Sequence, residues 1–247
     1  MSEIVIQERL ETVSTRLDRR VAELESLFRE AGCRDDRLAT QTVPGSKAPN
    51  VICTLPAAEP GAPVIIVAGH LDLVPIGTGA VDDWSGVVLL PSLYQSLAVQ
   101  SRRHTFVFIG FAAEERGLIG STVYVRHLSK PERTRVGAMV NLECLGTTPP
   151  KVWASRADKV LLAAYGLVAR SLKLEFAASN VDRVGDDDSH PFLNARIPVI
   201  TIHSITQETW RLLHSSRDQL AAIDPGCYYD AYRLAATYLA YLDGLLN

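Results

Sequence analysis

Four cysteines in 247 residues, placed at Cys33, Cys53, Cys144 and Cys227 with no C-x-x-C pair, are too few and too scattered for a disulfide framework or a cysteine-built zinc site. They are expected to be reduced, mostly buried thiols. An excess of either charge is also lacking: 25 Lys and Arg against 28 Asp and Glu leave a formal net charge of −3. No broad basic field exists to gather nucleic acid or an anionic lipid surface, and neither partner is expected. No apolar run reaches bilayer-spanning length, and the opening MSEIVIQERLETVSTRLDRR mixes charge with apolar residues where a secretory leader would set a basic flank before an apolar core. The cytoplasm is the default location, with export the alternative if a leader has been removed. Internal repeats, linkers and low-complexity segments are missing. So are a G-x-S-x-G elbow and the third glycine that would make GTGAVD a dinucleotide fingerprint.

Hydrophobic residues are plentiful, at 47% of the chain, which is enough for one substantial core. The expectation is a single α/β domain over residues 1–247. Ile6, Leu10, Val13, Leu17, Val21, Leu24 and Phe28 recur every three or four residues, the stripe of one amphipathic helix over about residues 3–31 that ends near Gly32. The short apolar runs NVICTL, VIIVAG, TFVFIGFAA, VGAMVNL and IPVITIH suit strands of a central sheet. Helical stretches follow Ser85, with a kink predicted at Pro91, and begin near Gly117, Asp158 and Pro225. This alternation predicts a mostly parallel, twisted central sheet with helices on both faces.

Ligands of open α/β sheets bind beyond the carboxyl ends of the strands. At those ends stand GHLD, the pair Glu114 and Glu115, NLECLG and, in the loop region after the last apolar run, HSSRD. Carboxylates crowded along one edge resist ionisation unless a cation balances them, and oxygen with imidazole ligands suits zinc, or less selectively cobalt or manganese. His70 and Asp72 share a face of an extended chain, so Asp72 can accept the second imidazole N–H and free the other nitrogen for a metal. Asp82, in GAVDDWSG, follows a glycine-rich turn that admits close backbone approach. Each feature alone has an ordinary reading, as a solvent-facing histidine, a Gly/Asp turn or acids at a helix start. Cys144 has no evident base beside it.

In this order and at these intervals, GHLD, GAVDDWSG, AAEERGLIGS, NLECLG and HSSRDQL resemble the co-catalytic zinc aminopeptidases of the bacterial leucyl aminopeptidase and aminopeptidase Y type. The resemblance runs from about residue 50 to the C-terminus and includes SHPFLNARIP. It implies a zinc-peptidase fold, two zinc ions per chain and a peptide substrate. Carried over to matching positions, Asp82 bridges the ions; His70 and Glu143 complete one ion's protein ligands, and Glu115 and His214 the other's. Asp72 orients His70, Asp83 is a neighbour, and Glu114 is the general acid/base for attack by metal-bound hydroxide. Glu143 stands where aspartate is commoner in the family, and in DDDSHPF the expected places fall on Asp188 and Ser189, with His190 one further on. His104, His127, His190 and His203 are read as non-ligands, and the triple Asp as a solvated loop.

The implied activity is release of N-terminal residues, since a free amino terminus can complete the coordination of such a site. Animal-type glutaminyl-peptide cyclotransferases share the fold and similar motifs, which makes acyl transfer the alternative reading. A non-catalytic binding module on the same scaffold is a third. Residue preference and oligomeric state have no signature in the sequence.

Overall fold

The computed structural model describes residues 1–182 and 185–246. Its strands are β1 (Leu38–Gln41), β2 (Asn50–Leu55), β3 (Val64–His70), β4 (Thr105–Phe111), β5 (Val136–Glu143), β6 (Lys151–Val152) and β7 (Val199–His203). The helices are α1 (Glu3–Leu10), α2 (Leu17–Glu30), α3 (Ser85–Val87), α4 (Leu89–Ala98), α5 (Ile119–His127), α6 (Lys130–Arg135), α7 (Lys159–Ser171), α8 (His190–Asn194) and α9 (Pro225–Leu245).

Strand β3 explains why the apolar runs are unbroken. Ile65 and Val67 enter one core while Ile66 and Ala68 enter another, and all four are fully buried. The larger core joins that face to Leu24 and Phe28 of α2, Leu93 of α4, Tyr165 of α7 and Tyr238 of α9. The smaller joins Ile66, Ile109 and Phe111 to Val125 of α5 and Phe192 of α8. Helices therefore cover both faces, and each large side chain so buried contributes about 1.5–3 kcal/mol.

The sheet order is β1-β2-β4-β3-β5-β7-β6. Its middle pairings, β4 with β3, β3 with β5 and β5 with β7, are parallel, whereas β1 with β2, β2 with β4 and β6 with β7 are antiparallel. The sheet is thus mixed: the predicted parallel character belongs to its four central strands, whose carboxyl ends lie along one edge. His70 pairs in register with Phe111, and Glu143 with His203.

Three expectations need correction. The helix predicted over about residues 3–31 is two, α1 and α2, with a turn between them. Hydroxyls take over the backbone there: Thr12 donates to the Arg9 carbonyl at 2.8 Å and Ser14 Oγ accepts from the Arg16 N–H at 3.1 Å. Nor are all four cysteines reduced, because Cys33, just past α2, is disulfide-bonded to Cys53 in β2. Twenty residues apart in sequence, they meet only because α2 packs against β2. Cys144 and Cys227 are free thiols. Pro91 lies in the first turn of α4, where its missing N–H costs little, and the helix breaks instead at Val88. Among the described residues no helix is long and apolar enough to cross a membrane.

Candidate metal centre

At the carboxyl end of β3, His70 places Nε2 3.0 Å from Asp82 Oδ1 and 3.5 Å from Glu143 Oε1 at the end of β5. The other oxygen of Asp82, Oδ2, lies 3.2 Å from His214 Nε2, which is itself 2.9 Å from Glu115 Oε2. One carboxylate thus stands between two imidazoles. His70, Asp82 and Glu143 gather on one side of it, and Glu115 and His214 on the other. Glu114 stays outside both groups, with Oε2 4.0 Å from His70 Nε2. All seven residues singled out in the sequence, including Asp72, therefore come together at one sheet edge.

Backbone geometry at the strand ends aims these groups. Ala113, Cys144 and His214 have φ of 60°, 51° and 55°, so non-glycine residues sit in the left-handed region immediately before Glu114, immediately after Glu143 and at His214 itself. Such conformations persist where the surroundings enforce them and cluster at functional sites. Asp72 accepts the N–H groups of Glu114 at 3.0 Å and Glu115 at 3.2 Å, tying the loop after β3 to the loop after β4. Its Oδ1 is 3.6 Å from His70 Nδ1, so backbone anchoring is its closer engagement.

Several residues missed in the sequence belong to the same construction. Asp83, expected as a mere neighbour, is fully buried and accepts the N–H groups of His70, Gly86 and Cys144 at 2.9–3.1 Å. A Cβ on Gly86 would come within 2.5 Å of Asp83 Oδ1, and one on Gly69 within 2.8 Å of Oδ2. Those two glycines were the signal available in the sequence. Asp218, the last residue of HSSRD, is buried and accepts from Val81 N–H at 2.7 Å and Asp82 N–H at 3.3 Å. Arg20 of α2 is wholly buried beneath the same segment.

The triple Asp is not a solvated loop. Asp187 and Asp188 are buried, Asp187 accepting from Ser189 and from Thr201 Oγ1 at 2.6 Å, while only Asp186 reaches outward to pair with Arg156 and His190. The loop lies against the pocket rather than in water. The remaining histidines are engaged elsewhere: His104 with Asp243, His127 with the Val123 carbonyl, His190 with Asp186 and His203 with the Ser179 carbonyl.

Burial governs the electrostatics. It holds the carboxyls of Glu114 and Glu143 above the usual carboxylate range and, helped by Asp82, pushes Glu115 up to about 7. Burial also works against ionisation of Asp82, but hydrogen bonds with His214 and His70 outweigh it and hold that carboxyl low. The same bond to Asp82 raises His214 to about 9. Glu115 Oε1 is a buried acceptor with no hydrogen-bond partner among the described residues. Asp82, Glu115 and His214 bring donor atoms within 4.8 Å of one another, as do His70, Asp83 and Glu143 and, separately, His70, Glu114 and Glu115, and these carboxyls and imidazoles match the ligand types that zinc takes. Beside them opens a cavity of about 400 Å³ with apolar walls from Leu118, Trp153, Ile205, Trp210 and Leu213.

The profile of peptidase family M28 matches residues 50–239. Leupeptin-inactivating enzyme 1 of Streptomyces exfoliatus is 32% identical over 167 residues, which cover 66% of this chain and 37% of that protein. Among solved structures, BSAP, a zinc aminopeptidase from Bacillus subtilis, superposes with a TM-score of 0.72 at 23% identity, covering 81% of this chain and 50% of the other. A glutaminyl cyclase from an Acidobacteriales bacterium superposes with a TM-score of 0.81 at 16% identity, covering 98% of this chain and 94% of the other. The chain thus spans about a third of the curated relative and half of the zinc aminopeptidase.

Proposed function

The chain belongs to peptidase family M28, and on that footing we propose that it is a zinc-dependent metallopeptidase that releases residues from the amino terminus of peptides. The observation that carries this reading is the position of Asp82, one oxygen 3.0 Å from His70 and the other 3.2 Å from His214, which would let its carboxylate serve two ions. In this reading His70, Asp82 and Glu143 would hold one zinc ion and Asp82, Glu115 and His214 the second. Glutamate at position 143 keeps the charge of the commoner aspartate with one more methylene of reach. The chemistry zinc supplies when bound is Lewis acidity, which polarises a carbonyl oxygen and brings the pKa of water to about 7.

The protein's own groups do the rest. Glu114 lines the cavity outside both ligand groups, its amide fixed by Asp72, so its carboxylate is free to take a proton from the attacking water and pass it to the departing amine. Its burial raises proton affinity, which suits a group that must hold the proton between the two transfers. Leu118, Ile205 and Leu213 offer an apolar rest for the side chain of the residue being released, with Trp153 held flat beneath the Arg156 guanidinium, 4.0 Å from the ring centre.

One observation favours a second reading. Asp188 is fully buried, neither oxygen has a hydrogen-bond partner among the described residues, burial pushes it up to about 8, and it acts electrostatically on Glu114. A protonated carboxyl near Glu114 could serve the release of ammonia as an N-terminal glutamine amine attacks its own side-chain amide, the cyclotransferase reaction.

Metal analysis with a panel of aminoacyl anilides, peptides and N-terminal glutaminyl peptides tests both. The expected result is two zinc ions per chain, anilide turnover, and a loss of at least about a hundredfold in Glu114→Ala with zinc retained. Full turnover by a zinc-loaded Glu114→Ala protein removes the role given to Glu114. Pyroglutamate formation without anilide turnover selects the second reading.

A further inference from the structure

Arg20 is a charged residue on an apolar stripe. It lies four residues before Leu24 and seven before Leu27 on α2, and all three are buried. Burying an arginine is costly unless its donors are satisfied. Here they are met by backbone: Nε donates to the Ser14 carbonyl at 2.7 Å, Nη1 to those of Leu71 at 3.0 Å and Asp72 at 3.4 Å, and Nη2 to those of Thr78 at 2.8 Å and Gly79 at 2.6 Å. Among the described residues no carboxylate pairs with the guanidinium; its charge is balanced at longer range by Asp218, Asp83, Asp82 and Asp72. Trp84 packs beneath it, with the ring centre 5.4 Å away.

The accepting carbonyls are not a random set. Leu71 and Asp72 directly follow His70, and Thr78 and Gly79 lie just before Asp82. The guanidinium therefore fastens both ends of the loop that separates two proposed zinc ligands. Gly79 has φ 60°, and a Cβ there would lie 2.6 Å from Nη2, so the contact is as close as backbone allows. From the opposite side Asp218 takes the Val81 and Asp82 N–H groups, and its carbonyl accepts from Thr78 N–H at 2.7 Å. Arg20 itself lies outside the residues matched by the family profile.

We propose that Arg20 is a positioning residue for the metal centre, holding the 71–79 loop so that His70 and Asp82 face one another before zinc arrives. The proposal rests on the reading of those two residues as zinc ligands. Lysine keeps the charge, but a single ammonium lacks the planar fork needed to span both ends of the loop. Groups that orient metal ligands are typically worth about 10–100-fold in metal affinity.

The test measures zinc affinity by chelator competition in wild type, Arg20→Met, Arg20→Lys and the core control Leu27→Ala, at a temperature where circular dichroism shows each folded. Arg20→Met is expected to bind zinc at least tenfold more weakly, Arg20→Lys to recover part of that loss, and Leu27→Ala to lose thermal stability with zinc affinity unchanged. A folded Arg20→Met with wild-type affinity overturns the proposal. So does a Leu27→Ala protein that weakens zinc as much, since affinity would then merely follow stability, and so does failure of both Arg20 variants to fold. Zinc binding without peptidase turnover in the wild type sinks the functional reading alone. A wild type that binds no zinc sinks both.

Discussion

His203 faces Glu143 across the β5–β7 pairing, yet its ring is occupied. Nδ1 accepts the Ile205 N–H at 3.0 Å and Nε2 donates to the Ser179 carbonyl at 2.9 Å, so a second ring proton would set donor against donor. Burial, more than anything else, pushes this imidazole down to about 4 from 6.5. The unfolded chain therefore binds a proton as pH falls below 6.5 while the folded ring does not until about 4. The contribution of His203 to stability is complete above that window and falls by about 3 kcal/mol through it. Urea midpoints between pH 7 and 4.5 should drop more steeply for wild type than for His203→Gln; parallel slopes would contradict this. Residues of this kind divide by what the sequence can say of them. His70, Asp82, Glu114, Glu115, Glu143 and His214 were legible because each adjoins a strand end or lies within a recognisable motif. Arg20 was not, nor were the burial and bonding of Asp83, Asp188 and Asp218, although these three fall within quoted motifs, because such burial is imposed by elements distant in the chain.

At the scale of elements, the α2–β2 contact carries the one disulfide found among the described residues. Closing a segment of 20 residues restricts the unfolded chain and is worth about 3 kcal/mol on the loop-entropy argument. Replacing Cys33 and Cys53 by Ala should lower the unfolding free energy by about that amount and leave zinc content unchanged. Denatured, non-reduced wild type should yield two alkylatable thiols, Cys144 and Cys227, and four alkylated sites would contradict the bond. Disulfides of this kind persist in oxidising compartments. The central strands were readable because burial on both faces demands unbroken apolar runs. Strand β1, with the exposed Ala39 and Thr40, and the two-residue β6 carry no such run and form by pairing with β2 and β7. The break between α1 and α2 was hidden because the apolar stripe continues through it.

Across the whole molecule, one sheet edge concentrates acids that burial makes reluctant to ionise. Glu115, raised to about 7 chiefly by burial, is protonated in folded and unfolded chains alike below about 4.5. As pH climbs, the unfolded chain gives up that proton first, so the contribution of Glu115 to metal-free stability falls towards pH 7. On the proposed reading zinc would bind the ionised carboxylates and add about 3 kcal/mol at a hundredfold excess over its Kd. The gap in melting temperature between zinc-loaded and chelated protein should therefore widen from pH 5 to pH 7 by scanning calorimetry. A constant gap would show that the acids are not coupled to the metal. His203 is common to both forms and cancels. The sequence by itself determined which segments become buried strands and which motifs stand beyond them, because side-chain alternation, apolar runs and turn residues act over a few neighbours. Only the tertiary structure decided that Asp82 turns one oxygen to His70 and the other to His214, that two cysteines meet, that an acidic run is buried, and that an arginine from α2 underpins the ligand loop. Those outcomes depend on packing between segments far apart in the chain, where burial and three-dimensional proximity, rather than local propensity, set which groups pair.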